Sequence, residues 1–292
     1  MDKLFFCHTH YIPKAFLDKN EIQIGAVIIP EVYPDLIYKY YGDVEYFCSP
    51  FEFISFFERK NLPMNPKLYS IENINMISNI EEFILLKKSK VCSVQLFHHG
   101  NNPYFDIHHG ITRLGKELLE ILLKQDIALD LSHLNDFWIN RILRYYPGRV
   151  LVSHCAISEF LDDPVTRSNN ISIKTIELLI KRNALIGISF VNDIIAHKCG
   201  EQDDKEVYKD IVEQVLFIIK QYGSKSVCIG PDYFDTTHFS KVYKKKIFIP
   251  DLFYSMEGYR RLREHLNAFI PQDFLNDFFW NNAKNFYNNQ TS

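Results

Sequence analysis

The stretch Ala128-Leu129-Asp130-Leu131-Ser132-His133 is followed, one compact helix later, by Val150-Leu151-Val152-Ser153-His154. Each is an apolar run of strand length that stops on an imidazole, and the interval between the two histidines suits a single βα unit. Two earlier runs read the same way, Phe5-Phe6-Cys7-His8-Thr9-His10 and Leu68-Tyr69-Ser70-Ile71-Glu72. Parallel strands that close into a barrel bring their carboxyl ends to one rim, so donors far apart in sequence meet there. The four runs together predict a metal site.

Working outward, strand signals fall at residues 3–8, 22–29, 67–72, 91–98, 128–133, 150–155, 184–191 and 226–230. Between them lie helical patterns. The clearest is 114–124, with apolar residues at helical spacing and charges on the other face; 136–145, 173–181 and 206–221 are similar, and Gly223 suits a C-cap after the last. Right-handed βαβ crossovers curl such a series one way, so eight strands predict a (β/α)8 TIM barrel of the α/β class, with residues 1–292 as one domain. An open doubly wound sheet is the rival, but no G-x-G-x-x-G or P-loop follows an early strand. The 256–287 tail reads as helical and aromatic. Its Phe278-Phe279-Trp280 is core or barrel-sealing material rather than a binding box.

Composition narrows the function classes. With Lys+Arg 33 against Asp+Glu 36 the formal net charge is −3, so no global basic field recruits nucleic acid or anionic membrane. Partners are expected to be small molecules, and the 24 Phe and 17 Tyr leave room for a homodimer interface. The basic run 241–246 reads as a solvated face or loop, or as part of a lid near the rim. Six cysteines are scattered without a CxxC pair and read as reduced thiols; strand alternation turns Cys7 and Cys155 away from the adjacent histidines. The N-terminal apolar run before His8 is too short for a secretory or membrane segment, which predicts a cytoplasmic protein.

The chemistry is concentrated in a few residues. His8 and His10, one residue apart on a strand, present both imidazoles to one face and can chelate one ion. A pair of this kind is weak evidence in a chain with 11 His, and its position at a strand end strengthens it. Glu72 ends an apolar run, where an unpaired carboxylate is costly to bury. A metal explains it; a helix N-terminus or an arginine partner would too. Four histidines and one carboxylate exceed what a single tetrahedral zinc needs, which favours two ions sharing Glu72. His108 and His109 read as solvent-facing, and His197 and His238 as loop residues.

The run Gly110-Ile111-Thr112-Arg113-Leu114-Gly115-Lys116-Glu117-Leu118-Leu119, leading to Asp130-Leu131-Ser132-His133, resembles the membrane (renal) dipeptidase family of the amidohydrolase superfamily. The likeness continues through Val152-Ser153-His154, Asn170-Ile171-Ser172, Ile186-Gly187-Ile188-Ser189-Phe190 and Ile229-Gly230-Pro231-Asp232, and is weakest between residues 11 and 66. It implies a (β/α)8 barrel with two zinc ions, or manganese or another divalent ion, cleaving dipeptides or compact amides. It further implies that His8, His10, Glu72, His133 and His154 are the metal ligands. His98 would steady the substrate carbonyl or its oxyanion, and Asp232 would handle the proton. Arg167, ahead of Asn169-Asn170-Ile171, falls nearest the arginine that holds the dipeptide carboxylate, and Tyr233 would lie beside the substrate. The expected reaction is attack on an amide carbonyl by a hydroxide shared between the ions.

Two departures stand out. His8-Thr9-His10 replaces the family's H-x-D, which makes the site one unit less negative and bears on metal choice. Tyr233-Phe234-Asp235 replaces the commoner Phe-Asp-Gly after Asp232. Two classes therefore remain: a metal-dependent hydrolase, including one acting on a non-dipeptide substrate in a specialised biosynthetic pathway, and a non-catalytic binding subunit on the same barrel.

Overall fold

The computed structural model describes residues 3–17, 23–28, 38–40, 43–45, 50–59, 67–72, 74–77, 80–98, 100, 102–197 and 202–288. Eight parallel strands form a closed barrel: β1 (Lys3–Thr9), β2 (Gln23–Ile28), β3 (Lys67–Ile71), β4 (Val91–Gln95), β5 (Ala128–Asp130), β6 (Val150–Cys155), β7 (Leu185–Ile188) and β8 (Val227–Ile229). Each pairs with its neighbour in sequence, and β8 closes onto β1 through the Phe6↔Ile229 register. Seven fall inside the runs predicted from apolar patterning, and β1 runs one residue past its own, to Thr9. The open-sheet alternative is excluded by that closure.

Several strands end earlier than the apolar runs suggest, and β5 shows why. The Asp130 carboxylate accepts from the Ser132 N–H at 3.0 Å, and His133 then takes a left-handed φ of 64°. A side chain bonded to backbone two residues on competes with the sheet ladder, so the strand stops at Asp130 and the imidazole is re-aimed.

The barrel is filled by one cluster: Phe5, Cys7, Val27, Cys92, Ala128, Leu151, Leu185 and Cys228 from the strands, with Trp280, Ala283 and Tyr287 from the C-terminal segment. The Phe5 ring meets Trp280 edge-on and stacks on Tyr287, both at 5.8 Å. The expected sealing role thus belongs to Trp280 and Tyr287, while Phe278 and Phe279 join the outer core. That plug occupies the amino-terminal end of the strands, so the other end is where polar side chains gather.

Outside the barrel, the Arg113–Gln125 helix buries Leu118, Leu119 and Leu122 and is capped by Thr112, whose hydroxyl accepts from the Gly115 N–H. Helices Asp136–Tyr145 and Ile173–Lys181 coincide with their predicted spans. The Asp204–Tyr222 helix opens on a reciprocal Asp203/Glu206 cap and ends at Gly223, whose φ of 84° suits a residue without a side chain. The tail is helical from Met256 to Asn288 in four consecutive pieces, one of them a π-turn at Asp277–Asn281. Among the described residues, no helix is long and apolar enough to cross a membrane.

Strict strand alternation fails at two places that matter. The pairing register shifts between Phe6 and Thr9 and again between Val152 and Cys155. Up to the first slip the period of two holds, with Leu4 and Phe6 in the outer core and Phe5 and Cys7 inside, so Cys7 is not turned out of the barrel: its thiol donates to the Ser153 carbonyl at 2.9 Å, and it is His8 that leaves the alternation. Cys155 joins the outer core. Gly187 and Gly230 make this possible, since a Cβ on either would stand 1.9 or 2.1 Å from the Ser153 oxygen. Cys48 and Cys199 lie outside the described residues.

Candidate metal centre

At the carboxyl ends of the strands the predicted donors converge. His8 and His10 leave β1, Glu72 follows β3, His98 lies beyond β4, His133 beyond β5, His154 near the end of β6, and Asp232 beyond β8. His8 Nε2 is 3.7 Å and His10 Nε2 3.6 Å from the Glu72 carboxylate; His98 and His133 each approach it at 3.9 Å. Glu72 is therefore within reach of four imidazoles. Asp232 Oδ1 stands 3.2 Å from Nε2 of both His8 and His10, and Nε2 of His154 faces Nε2 of His133 at 2.9 Å.

Backbone geometry aims two of these groups. His133 and Asp232 both adopt positive φ, 64° and 59°, which an ordinary side chain enters at a cost and which here turns each toward the centre. The β8 end is tied to β1, with the Asp232 N–H donating to His8 O at 3.3 Å and the His10 N–H donating to Tyr233 O at 3.0 Å.

Charge follows burial. Desolvation pushes the His154 imidazole well below its usual pKa, and His8, His133 and His10 beside it add to the effect, so the ring is neutral at pH 7. For Asp232 desolvation pushes upward, but His154 opposite it and the imidazoles of His10 and His8 outweigh that and hold the carboxyl well below its ordinary range. A neutral imidazole with a free lone pair and an ionised carboxylate are the forms in which these residues bind metal.

Among the described residues, three overlapping groups could hold a metal ion, their donor atoms all within 4.8 Å of one another: His8, His10 and Glu72; His8, His154 and Asp232; Glu72, His98 and His133. The fit is supported by two fully buried atoms, His8 Nε2 and Asp232 Oδ1, which face each other without hydrogen-bond geometry. Such atoms are costly to bury unless something else satisfies them.

The centre opens into a cavity of about 160 Å³ walled by Val191, Ile194, Phe234, Phe239, Tyr243 and Ile247, with Asp193 among them. A wider hollow of about 770 Å³ lies at the opposite end of the barrel near Arg149, Arg182, Lys225 and Asn282, and none of the converging donors lines it.

Two expected substrate contacts lie away from the cavity lining. Tyr233 is fully buried in the outer core, bonded to the Phe253 carbonyl and, at 2.7 Å, to the Tyr259 hydroxyl. The turn at Asp232 sends Tyr233 into the core and leaves Phe234 to line the cavity. Arg167 sits exposed on the Pro164–Ser168 helix and is not among the cavity-lining residues. His108 and His109 are exposed as expected, though on a short hairpin, Phe105–Asp106 with Gly110–Ile111. His197 pairs loosely with Asp162 at 3.6 Å, while the backbone of His238 is helical within Thr236–Tyr243. The basic run is exposed from Lys241 to Lys246, and Lys245 pairs with Asp193 at 2.6 Å beside the cavity.

Sequence reasoning missed the residues behind the donors, Asp130, Ser132 and Ser153. A signal was present: serine precedes histidine both at 132–133 and at 153–154.

Comparison with known proteins agrees with this geometry. The family model of the membrane dipeptidases, peptidase family M19, matches residues 88–265, more than half of the chain. The chain belongs to the M19 membrane dipeptidase family. One relative, dipeptidase tcpJ of Claviceps purpurea (strain 20.1), is 22% identical over 174 residues, 57% of this chain but 39% of that protein, so the chain spans well under half of its length. An amidohydrolase from Pseudomonas aeruginosa superposes with a TM-score of 0.63 at 17% identity, covering 76% of this chain and 73% of that one. A metallopeptidase from Rhodobacter sphaeroides, liganded with a phosphinate mimic of the dipeptide L-Ala-D-Ala, gives 0.59 at 15% identity, with 76% and 62% covered. At these identities the structural likenesses establish that the M19 chain shares their fold.

Proposed function

We propose that the chain is a metal-dependent hydrolase that cleaves the amide bond of a dipeptide or a related small amide. The observation that carries this reading is the convergence of five imidazoles and two carboxylates on one apolar-walled cavity, with His8 Nε2 and Asp232 Oδ1 buried and unsatisfied. M19 membership and the dipeptide mimic bound by the Rhodobacter sphaeroides protein support the substrate class.

In this reading His8, His10 and Glu72 would hold one divalent cation, and His133 and His154, whose Nε2 atoms face each other, would with Glu72 supply donors to a second. Imidazole and carboxylate donors suit zinc, and manganese is the alternative. When bound, such ions polarise a carbonyl and acidify water. The protein's own groups do the rest. Asp232 Oδ1, ionised at neutral pH, takes the proton of the attacking water and returns it to the departing nitrogen. His98, half-buried beside Glu72, directs an N–H at the oxygen that gains charge. Val191, Ile194, Phe234 and Phe239 exclude water and seat an apolar side chain.

Residues 1–292 serve as one barrel unit. Buried free thiols at Cys7, Cys92, Cys155 and Cys228 favour a reducing compartment, the cytoplasm.

The test is metal analysis of the purified protein together with turnover of a dipeptide panel in the presence of zinc or manganese. Hydrolysis that disappears on chelation and in Glu72→Gln is expected. Full activity in metal-free protein would end the reading, and stoichiometric metal without turnover of any small amide would favour the binding-subunit alternative.

A further inference from the structure

Two of the converging imidazoles, His8 and His154, are held from behind by one hydroxyl. Ser153 Oγ lies 3.0 Å from Nδ1 of His8 and 3.0 Å from Nδ1 of His154, side chains carried by strands on different sides of the barrel. It is also 3.2 Å from Ser132 Oγ, which stands 2.8 Å from Asp130 Oδ1. Asp130, Ser132 and Ser153 are all buried, so no solvent substitutes for a missing partner.

Counting hydrogens fixes the direction of this chain. A serine hydroxyl has one proton to give and two lone pairs to receive with. His8 Nε2 makes no hydrogen bond and points at Asp232 and Glu72, while His154 Nε2 points at His133. For both Nε2 atoms to offer lone pairs, both neutral rings must carry their hydrogen on Nδ1. Both Nδ1–H groups then donate to Ser153 Oγ and fill its lone pairs. The Ser153 proton is left with Ser132 Oγ as its acceptor. The Ser153 N–H at 2.9 Å fills the second lone pair of Ser132 Oγ, and the Ser132 proton goes to Asp130 Oδ1 at 2.8 Å. The series ends on a carboxylate, the only member that needs no proton to give.

We propose that Ser153 is a positioning residue that sets the tautomers of His8 and His154 together, with Ser132 and Asp130 anchoring it, so that the two histidines present Nε2 as a linked pair. His8 belongs to the donor group of His10 and Glu72, and His154 faces His133. His8 and His154 also share a candidate group with Asp232, so one hydroxyl links the group of His10 and Glu72, through His8, to the ring that faces His133. This rests on the metal reading above but goes beyond it, because it assigns a role to residues that touch neither ion nor substrate.

Two measurements test it. In zinc-loaded protein labelled with 15N-histidine, NMR should find His8 and His154 both protonated on Nδ1; an Nε2–H form of either ring overturns the proposal. In Ser153→Ala, zinc affinity measured by chelator competition should fall about 10–100-fold at both binding steps, with Ser153→Thr restoring most of it. An unchanged affinity, or a loss at one step alone, overturns it while leaving the metal reading intact. Wild-type protein that binds no zinc removes both. If Ser153→Ala does not fold, the tautomers of the wild-type protein decide the matter.

Discussion

Nε2 of His133 and Nε2 of His154 face each other across 2.9 Å from the ends of neighbouring strands. Burial keeps His154 neutral, so one ring must lend a hydrogen to this contact when nothing else lies between them. A divalent cation shared by both rings needs both lone pairs. His133→Ala is therefore expected to weaken one of two metal-binding steps by at least about tenfold and to leave the other near wild type, read by titration against a chromogenic chelator.

Arg167→Ala should leave KM for a dipeptide unchanged. The arginine is exposed on a short helix and lines no part of the cavity, despite its kinship with the family's carboxylate-binding position. A rise in KM of tenfold or more in steady-state assays would restore it to the site.

Phe239→Ala should raise KM by roughly tenfold with little change in kcat. Phe239 walls the cavity edge-on to Phe234, and removing an aromatic face there costs substrate about 1–3 kcal/mol of uniform binding. An equal fall in kcat would mean that the ring acts on the reacting atoms instead.

Tyr233→Phe separates stability from chemistry. Its hydroxyl bonds to Phe253 and Tyr259 in the core, so the loss should be about 1–2 kcal/mol of stability, seen as a Tm lower by a few degrees, with kcat/KM preserved. Activity that falls while Tm holds would return this residue to the substrate.

Gly187→Ala should be among the most damaging small changes in the protein. The new methyl would meet the Ser153 carbonyl at 1.9 Å and the Cys7 thiol at 2.5 Å, beneath the donors. Overpacking of this kind costs about 3 kcal/mol. Metal affinity should fall along with Tm, since Ser153 cannot shift without moving His8 and His154.

The barrel was legible because each strand is a short apolar run and the intervals from β4 onward carry helices, some with recognisable caps, as at Thr112 and Asp203. The donors were legible because they stand at the ends of those runs. What the residues did not reveal depends on local backbone that alternation cannot foresee. Cys7 and Ser153 point inward in step with Phe5 and Leu151, and the register slips at Phe6–Thr9 and Val152–Cys155 let the adjacent His8 and His154 reach the centre as well, which a strict period of two does not allow. The positive φ at Asp232 exchanged the fates of Tyr233 and Phe234. Arg167 was assigned by kinship alone, and its position depends on a loop whose path no pattern of apolar residues encodes.

The Tyr287 hydroxyl donates to the Cys7 carbonyl at 3.1 Å, a contact that spans 280 positions of sequence. Loop closure on that scale is entropically late. During synthesis, β1 thus waits for nearly the whole chain before its underside is covered. A ribosome stalled with the chain exposed past Asp232 but not to Trp280 would hold a hollow barrel whose donor-bearing end is fully translated but unsupported, a species suited to capture by a chaperone.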